Sequence, residues 1–245
     1  MKKKIYVAIL SGLTALSSYA QHKPQTVPDA VMKSVYEEVK TPYKYGLVMV
    51  TDDNSKKADC PSVFRKGDKW YMTYLIFNGR GYETWLAGSK DLLHWKTMGR
   101  IMSFSDSTQW DCNQKAGYIA LQDMNWGGSY HLQKYKGKYW MSYFGGHERG
   151  YEKGRLAIGI AYTAKDPSTV HEWTRLDHPV LSPDDKDVAW WDNHMQYKET
   201  VIWDKLKLTG HPFVMYYNAN GDSLDRKRGA ERIGMATSDD MLHWT

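Results

Sequence analysis

Four carboxylates sit ahead of, or inside, short apolar runs. Asp59 lies in ADCPSVF, Asp123 in ALQDMNWGGSYHL, and Asp192 and Glu199 in WWDNHMQYKETVI. Carboxyl groups brought to one place can divide proton donation and proton acceptance between them. Trp110, Trp126, Trp190 and Trp191 also fall in irregular stretches, and Tyr82 and Glu83 follow a G-R-G turn. Aromatic rings there have two uses, stacking against the C–H faces of sugars or closing gaps between packed sheets. His131, His147 and His194 show no close metal-ligand spacing such as HxxxH, so no cofactor is expected, although a structural divalent cation stays open.

What could bring such residues together is a repeat. AGSKDLLHWKT, AYTAKDPSTVHEWTR and ATSDDMLHWT recur, with Trp95, Trp173 and Trp244 roughly 70–80 residues apart. Each phrase ends a longer unit with an aromatic-rich segment: KWYMTYL, KYWMSYF or PFVMYYN. Alternation and turn chemistry favour antiparallel strands, four to a unit. WYMTYL places Trp70, Met72 and Tyr74 on one face and Tyr71, Thr73 and Leu75 on the other, both apolar enough to be covered. The repeated Asp91, Asp166 and Asp239 or Asp240 are turn formers, and the repeated tryptophans are outer-strand packing residues.

Repeated four-stranded units in an all-β chain imply a β-propeller. Three such units do not close a ring. The expectation is a chain cut short, five-bladed when complete, with about three blades here. Residues just before each inner strand converge on the axis, and the blade-two positions fall at 120–132.

At these residues the chain resembles a family, the five-bladed propeller glycoside hydrolases. That group includes families 43, 62, 117 and 130, the family 32 fructosidases, and the secreted glycosylases of Bacteroides-type bacteria. The resemblance spans roughly residues 45–245. It rests on D-x-P-S-V-F from Asp59, the K-W-Y-M strand, and the repeated S-x-D-x-x-x-W element. It implies a general base in blade one, a carboxylate tuning acidity in blade two, and a general acid in blade three. By position these are Asp59, Asp123 and Glu199, with His194 as an alternative acid. Glycoside hydrolysis of the inverting kind needs one ionised and one protonated carboxyl on opposite sides of the bond. The substrate implied is a poly- or oligosaccharide, with Trp126 and Trp191 as sugar platforms.

The departures matter. Cys60 interrupts the Asp-Pro pair, the fructosidase N-D-P-N-G signature is missing, and the strict blade-two equivalent of Asp59 falls near Gly127-Gly128. Two alternatives remain: a phosphorylase, which needs basic density such as Arg226-Lys227-Arg228, and a carbohydrate-binding propeller without catalysis.

The remaining features bound the setting. Lys2, Lys3 and Lys4, the apolar IYVAILSGLTAL, and Ser18-Tyr19-Ala20 before Gln21 have the form of a cleaved leader over residues 1–20. The protein is therefore expected to be secreted or periplasmic. An N-terminal segment, 21–45, precedes the propeller at 46–245 and holds the best helix candidate, residues 28–40. The formal charge of +5 falls to about +2 without the three leader lysines, which argues against nucleic acid or an anionic membrane as partner. No membrane-inserted segment is expected. Oligomeric state is not legible. Cys60 and Cys112 are the two cysteines, and their spacing does not decide whether they pair.

Overall fold

The computed structural model describes residues 27–40, 46–49, 51, 56–125, 127–221 and 231–245. The chain divides into two units, Met1–Lys44 and Tyr45–Thr245. In the first, helix α1 spans Asp29–Val39, close to the expected bounds. Asp29 in its first turn complements the helix dipole.

The second unit is built of antiparallel blades. Blade one is β1 (Lys57–Lys66), β2 (Lys69–Phe77), β3 (Tyr82–Ser89) and β4 (Trp95–Met102), hydrogen-bonded in that order. Blade two is β5 (Gln114–Ile119), β6 (Tyr139–Gly146), β7 (Leu156–Thr163) and the short β8 (Thr174–Arg175). Blade three has β9 (Met195–Trp203), β10 (Phe213–Asn220) and β11 (Arg232–Ser238). Beyond β11, Thr237 and Thr245 exchange both backbone hydrogen bonds, at 2.8 and 3.1 Å. Blades two and three touch edge to edge through one parallel pair, Leu156 with Met195. That seam is a single residue pair wide, so the two remain separate blades.

The two-faced reading of β2 holds. Met72, Tyr74 and Ile76 pack with Ala87, Val63 and Trp85 on one side. Leu75 on the other side joins Tyr82, Ala116 and Phe144, the last two from the neighbouring blade. A sheet apolar on both faces must be sandwiched, and stacked blades do that.

The turn phrase is the same object in blades one and three. Asp91 Oδ1 accepts the N–H groups of Leu93 and His94, and Asp240 Oδ1 those of Leu242 and His243. Trp95 Nε1 donates to the Leu92 carbonyl and Trp244 Nε1 to that of Met241. The turn former in the third phrase is thus Asp240 rather than Asp239.

One expectation needs correction. The inner strand of blade two is Gln114–Ile119, not the run after residues 120–132; residues 120–138 connect β5 to β6. The reason is close packing. A Cβ on Gly117 would stand 2.6 Å from Met141 Sδ and 3.1 Å from Thr84 Oγ1 of blade one. Small residues there erase the alternation that marks a strand.

Candidate active site

The inner strands β1 and β9 each carry a bulge, and each bulge holds a non-glycine residue in the left-handed region. Pairing of β1 with β2 slips between Asp59 and Ser62, where Cys60 has φ 47°. Pairing of β10 with β9 slips between Tyr216 and Asn218, beside Lys198 with φ 52°. Backbone of this kind costs on the order of 1–3 kcal/mol per residue and clusters at functional sites. A bulge also breaks strict alternation and re-aims neighbouring side chains.

At the first bulge Asp59 is partly buried. Its Oδ1 accepts from the Cys60 N–H at 2.8 Å and the Cys60 thiol at 3.3 Å, and its Oδ2 from the Tyr82 hydroxyl at 2.9 Å. Burial alone would raise its pKa. The Tyr82 and Cys60 hydrogen bonds and the nearby Lys198 charge outweigh burial and hold the carboxyl below its ordinary value. Asp59 is thus an ionised, oriented carboxylate at neutral pH. It faces a cavity of about 620 Å3 lined also by Lys57, Ala58, Phe77, Tyr82 and Tyr151. Tyr151 is exposed, and its ring crosses those of Phe77 and Tyr82 at 5.7 and 5.6 Å. Such a wall suits the apolar face of a sugar.

Beneath Asp59 lies Tyr118 of β5, whose hydroxyl feels Glu199, Cys60 and Asp59. Glu199 of β9 is only 2 % exposed, and neither carboxyl oxygen has a hydrogen-bond partner among the described residues. Burial pushes its pKa up to about 8, against smaller lowering effects from its own backbone and from Ser142. The Ser142 hydroxyl is close enough to influence Glu199 but does not meet hydrogen-bond geometry. Glu199 is therefore a neutral acid at pH 7, in the same cluster as Asp59 but sealed from solvent.

Two carboxylates invisible to sequence reasoning join this cluster at the second bulge. Glu152 pairs with Lys198 at 2.9 Å, and Glu231 accepts a hydrogen bond from the Tyr197 hydroxyl. Tyr197 and Lys198 are consecutive, yet the bulge lets both address carboxylates. Burial opposes the Lys198 charge, but the Glu152 contact and the Glu152 and Glu231 charges raise its pKa. Lys198 also reaches Asp59 electrostatically. Asp59, Glu152, Lys198 and Glu231 thus form one charged network, and Tyr82, Tyr151 and Tyr197 frame it. Glu152 and Glu231 sit in HERGYEKG and GAERIG, stretches with no strand pattern. The signal within reach was HER–YEKG directly after the KYWMSYFGG strand.

The other candidates lie elsewhere. Asp123 follows β5 instead of preceding it, and its carboxylate is taken up by Ser129 and Asn125 in an exposed loop. Those hydrogen bonds, with little burial against them, lower its pKa. It lines the larger cavity of about 890 Å3 with Ile202, Trp203 and Tyr216. Ile202 and Trp203 end β9, so that cavity is at the far end of the inner strands from Asp59.

Asp192 is buried, accepting from the Ala189 N–H at 2.6 Å and the Tyr217 hydroxyl at 3.3 Å. Trp191 stacks on Tyr217 and Trp110 on Tyr143, with ring centroids 6.2 and 5.7 Å apart. Tyr143 in turn donates to Asp111 at 2.9 Å. Trp110-Asp111 and Trp191-Asp192 are thus one repeated packing element, which leaves neither ring at the Asp59 cavity. Glu83 is buried under Arg100, Ser103 and Asn78, at 2.7, 2.7 and 3.0 Å. Trp190 is exposed beneath the Arg232 guanidinium. Trp126 and Arg226-Lys227-Arg228 lie outside the described residues.

The His194 N–H donates to the Asn220 carbonyl at 3.2 Å, and His147 Nε2 lies 3.0 Å from the Ser107 carbonyl. No group of three metal-ligating side chains occurs among the described residues. Cys60 and Cys112 are both free thiols.

Stacked four-stranded blades with a carboxylate cluster where the inner strands begin define a class, the propeller fold shared by glycoside hydrolases. The structures this chain resembles belong to it, as the repeat implied. A solved structure of BT0996 in complex with RGII matches with a TM-score of 0.84 and 53% identity, over 90% of this chain and 64% of that one. A second, described as "Glycoside hydrolase", matches to the same extent. The chain thus spans 64% of the length of these two relatives. A family 117 glycoside hydrolase from the marine bacterium Zobellia galactanivorans shares the fold at 20% identity and a TM-score of 0.57, over 78% of this chain and 55% of that one. No family model and no curated protein matches the chain.

Proposed function

We propose that the protein is an exported glycoside hydrolase that cleaves its bond at the Asp59 cavity. The observation that carries this is the convergence of Asp59, Glu152 and Glu231 on Lys198 beside an aromatic-walled cavity. Glu152 and Glu231 are the reacting pair in this reading. Asp59 is the fixed anion that orients Tyr82 and sets the local field. Glu199 is a buried neutral carboxyl behind them and exchanges no proton with substrate. The catalytic outcome proposed is inversion, in which one carboxyl activates water and the other protonates the leaving oxygen.

The 53% identical relative is described in complex with RGII, and RGII is the carbohydrate substrate we propose. Hydrolysis is favoured over phosphorolysis because Lys198, the cation at the cluster, is already paired with Glu152. Export would follow from the leader at residues 1–20. The test is incubation with RGII while the anomeric protons of the released sugar are followed by NMR. Inverted product, appearing before mutarotation, is the expected result. Retained configuration would remove the single-displacement mechanism, and no release would remove the activity.

A further inference from the structure

Blade two breaks two elements that are satisfied elsewhere in the molecule, and both breaks fall at one cavity. The repeated outer tryptophan donates its indole N–H to a carbonyl three residues back in blades one and three, at 2.8 and 3.1 Å. In blade two Trp173 is 2 % exposed, and its Nε1 has no partner among the described residues. The cause is legible. Trp95 and Trp244 each follow their turn aspartate by four residues, whereas PSTVHE lengthens the span from Asp166 to Trp173.

The second element is the Trp-Asp pair before the inner strand. In blade three Asp192 Oδ1 accepts the N–H of Ala189, three residues before it. The equivalent in blade two is Thr108, whose N–H is taken by Asp106 instead, at 2.9 Å. Asp111 Oδ1 is left without a hydrogen bond, with Lys115 Nζ at 3.7 Å. The Trp110 indole N–H is unpartnered as well.

Trp110, Asp111 and Trp173 line one cavity of about 540 Å3. Arg175 closes it, held by Asp111 and by Gln109 Oε1 at 2.8 Å, and Glu172 and Asp177 stand at its mouth. None of these residues lines the Asp59 cavity.

We propose that this cavity is a second carbohydrate-binding site, separate from the place of cleavage. Its volume suits one or two sugar rings. Buried polar groups that lack a partner are costly, so a ligand that supplies partners gains what the fold leaves unmet. A sugar hydroxyl both accepts and donates, and so matches indole N–H donors beside carboxylate acceptors. Rim carboxylates bridging two hydroxyls would fix its orientation. The second site does not depend on the catalytic reading: it involves different residues and is read by binding.

The test is an NMR titration of the whole chain with nitrogen-labelled tryptophan. Trp110→Phe and Trp173→Phe identify the two indole signals. The probes are galactose, galacturonic acid and the disaccharide of each. Saturable shifts of both signals are expected with at least one probe. The Glu172→Ala/Asp177→Ala double variant, with its melting temperature unchanged, is expected to bind about tenfold more weakly. A response to galacturonic acid alone would add a carboxylate contact with Arg175, and a response to all four would mark recognition through hydroxyls. Signals that stay fixed with every probe, that move together with all other indoles, or that respond equally in the double variant would overturn the proposal.

Discussion

Replacing Glu199 by glutamine should change how stability depends on pH. In the folded chain burial raises the Glu199 pKa from 4.5 to about 8. Between those values the folded state holds a proton that the unfolded chain has released. Stability must therefore fall as pH rises through this window, by about 1.4 kcal/mol per pH unit. By pH 7 the accumulated cost is roughly 3 kcal/mol. Above pH 8 the folded group ionises too, and this contribution levels off. Glutamine has nearly the same shape and does not titrate. Its buried amide carries its own cost, roughly 1–3 kcal/mol, but that cost does not vary with pH.

The absolute stabilities of the two proteins are thus less informative than their difference. Urea unfolding at half-unit steps from pH 4.5 to 8.5 measures it. The difference, variant minus wild type, should climb by about 3 kcal/mol between pH 4.5 and 7. Parallel curves for the two proteins would refute the claim that Glu199 is buried and neutral.

Other consequences follow from individual contacts. Tyr82→Phe removes one of the donors that hold the Asp59 carboxyl low, so the acid limb of the activity profile should move to higher pH; an unmoved limb would detach Asp59 from the reaction. Gly234→Ala drives a methyl group into the Tyr217 ring and should lower stability by about 1–3 kcal/mol in thermal unfolding, whereas a neutral result would contradict the packing of β11 on β10. Burial raises the Cys60 thiol to about 11, so at pH 7.5 native protein should react with a thiol reagent far more slowly than unfolded protein, with two thiols titrating on unfolding and none paired.

The parts of the fold visible in the sequence were those with strong alternation. KWYMTYL, KYWMSYF and PFVMYYN pack aromatics on both faces, and each forms the second strand of a blade. The S-x-D-x-x-x-W element was legible because Asx turns place their aspartate at a set distance from the backbone groups they bind. β5 was hidden because it passes so close to blade one that Ala116 and Gly117 are needed where a longer strand signal would otherwise be. Missing it moved the blade-two candidate onto Asp123, at the wrong end of the strands.

Asp59 and Glu199 were legible as carboxylates in strand-like runs, and both enter the cluster. Their environments differ in a way composition does not reveal, since one opens on a cavity and the other is sealed. Glu152 and Glu231 come from connections between strands, where residue order carries no periodicity. They reach the cluster through Lys198 and Tyr197, and the bulge that aims those two side chains together is a backbone property.

The central claim is that Glu152 and Glu231 carry out the cleavage. The direct measurement is release of reducing sugar from RGII by the wild type, Glu152→Gln and Glu231→Gln, with melting temperatures taken on the same samples. Each amide removes a proton donor or acceptor and keeps the side-chain shape. The account predicts turnover by the wild type and a rate loss on the order of 100- to 10,000-fold in each variant, at similar melting temperatures. A stable Glu152→Gln or Glu231→Gln variant that keeps the wild-type rate would contradict it.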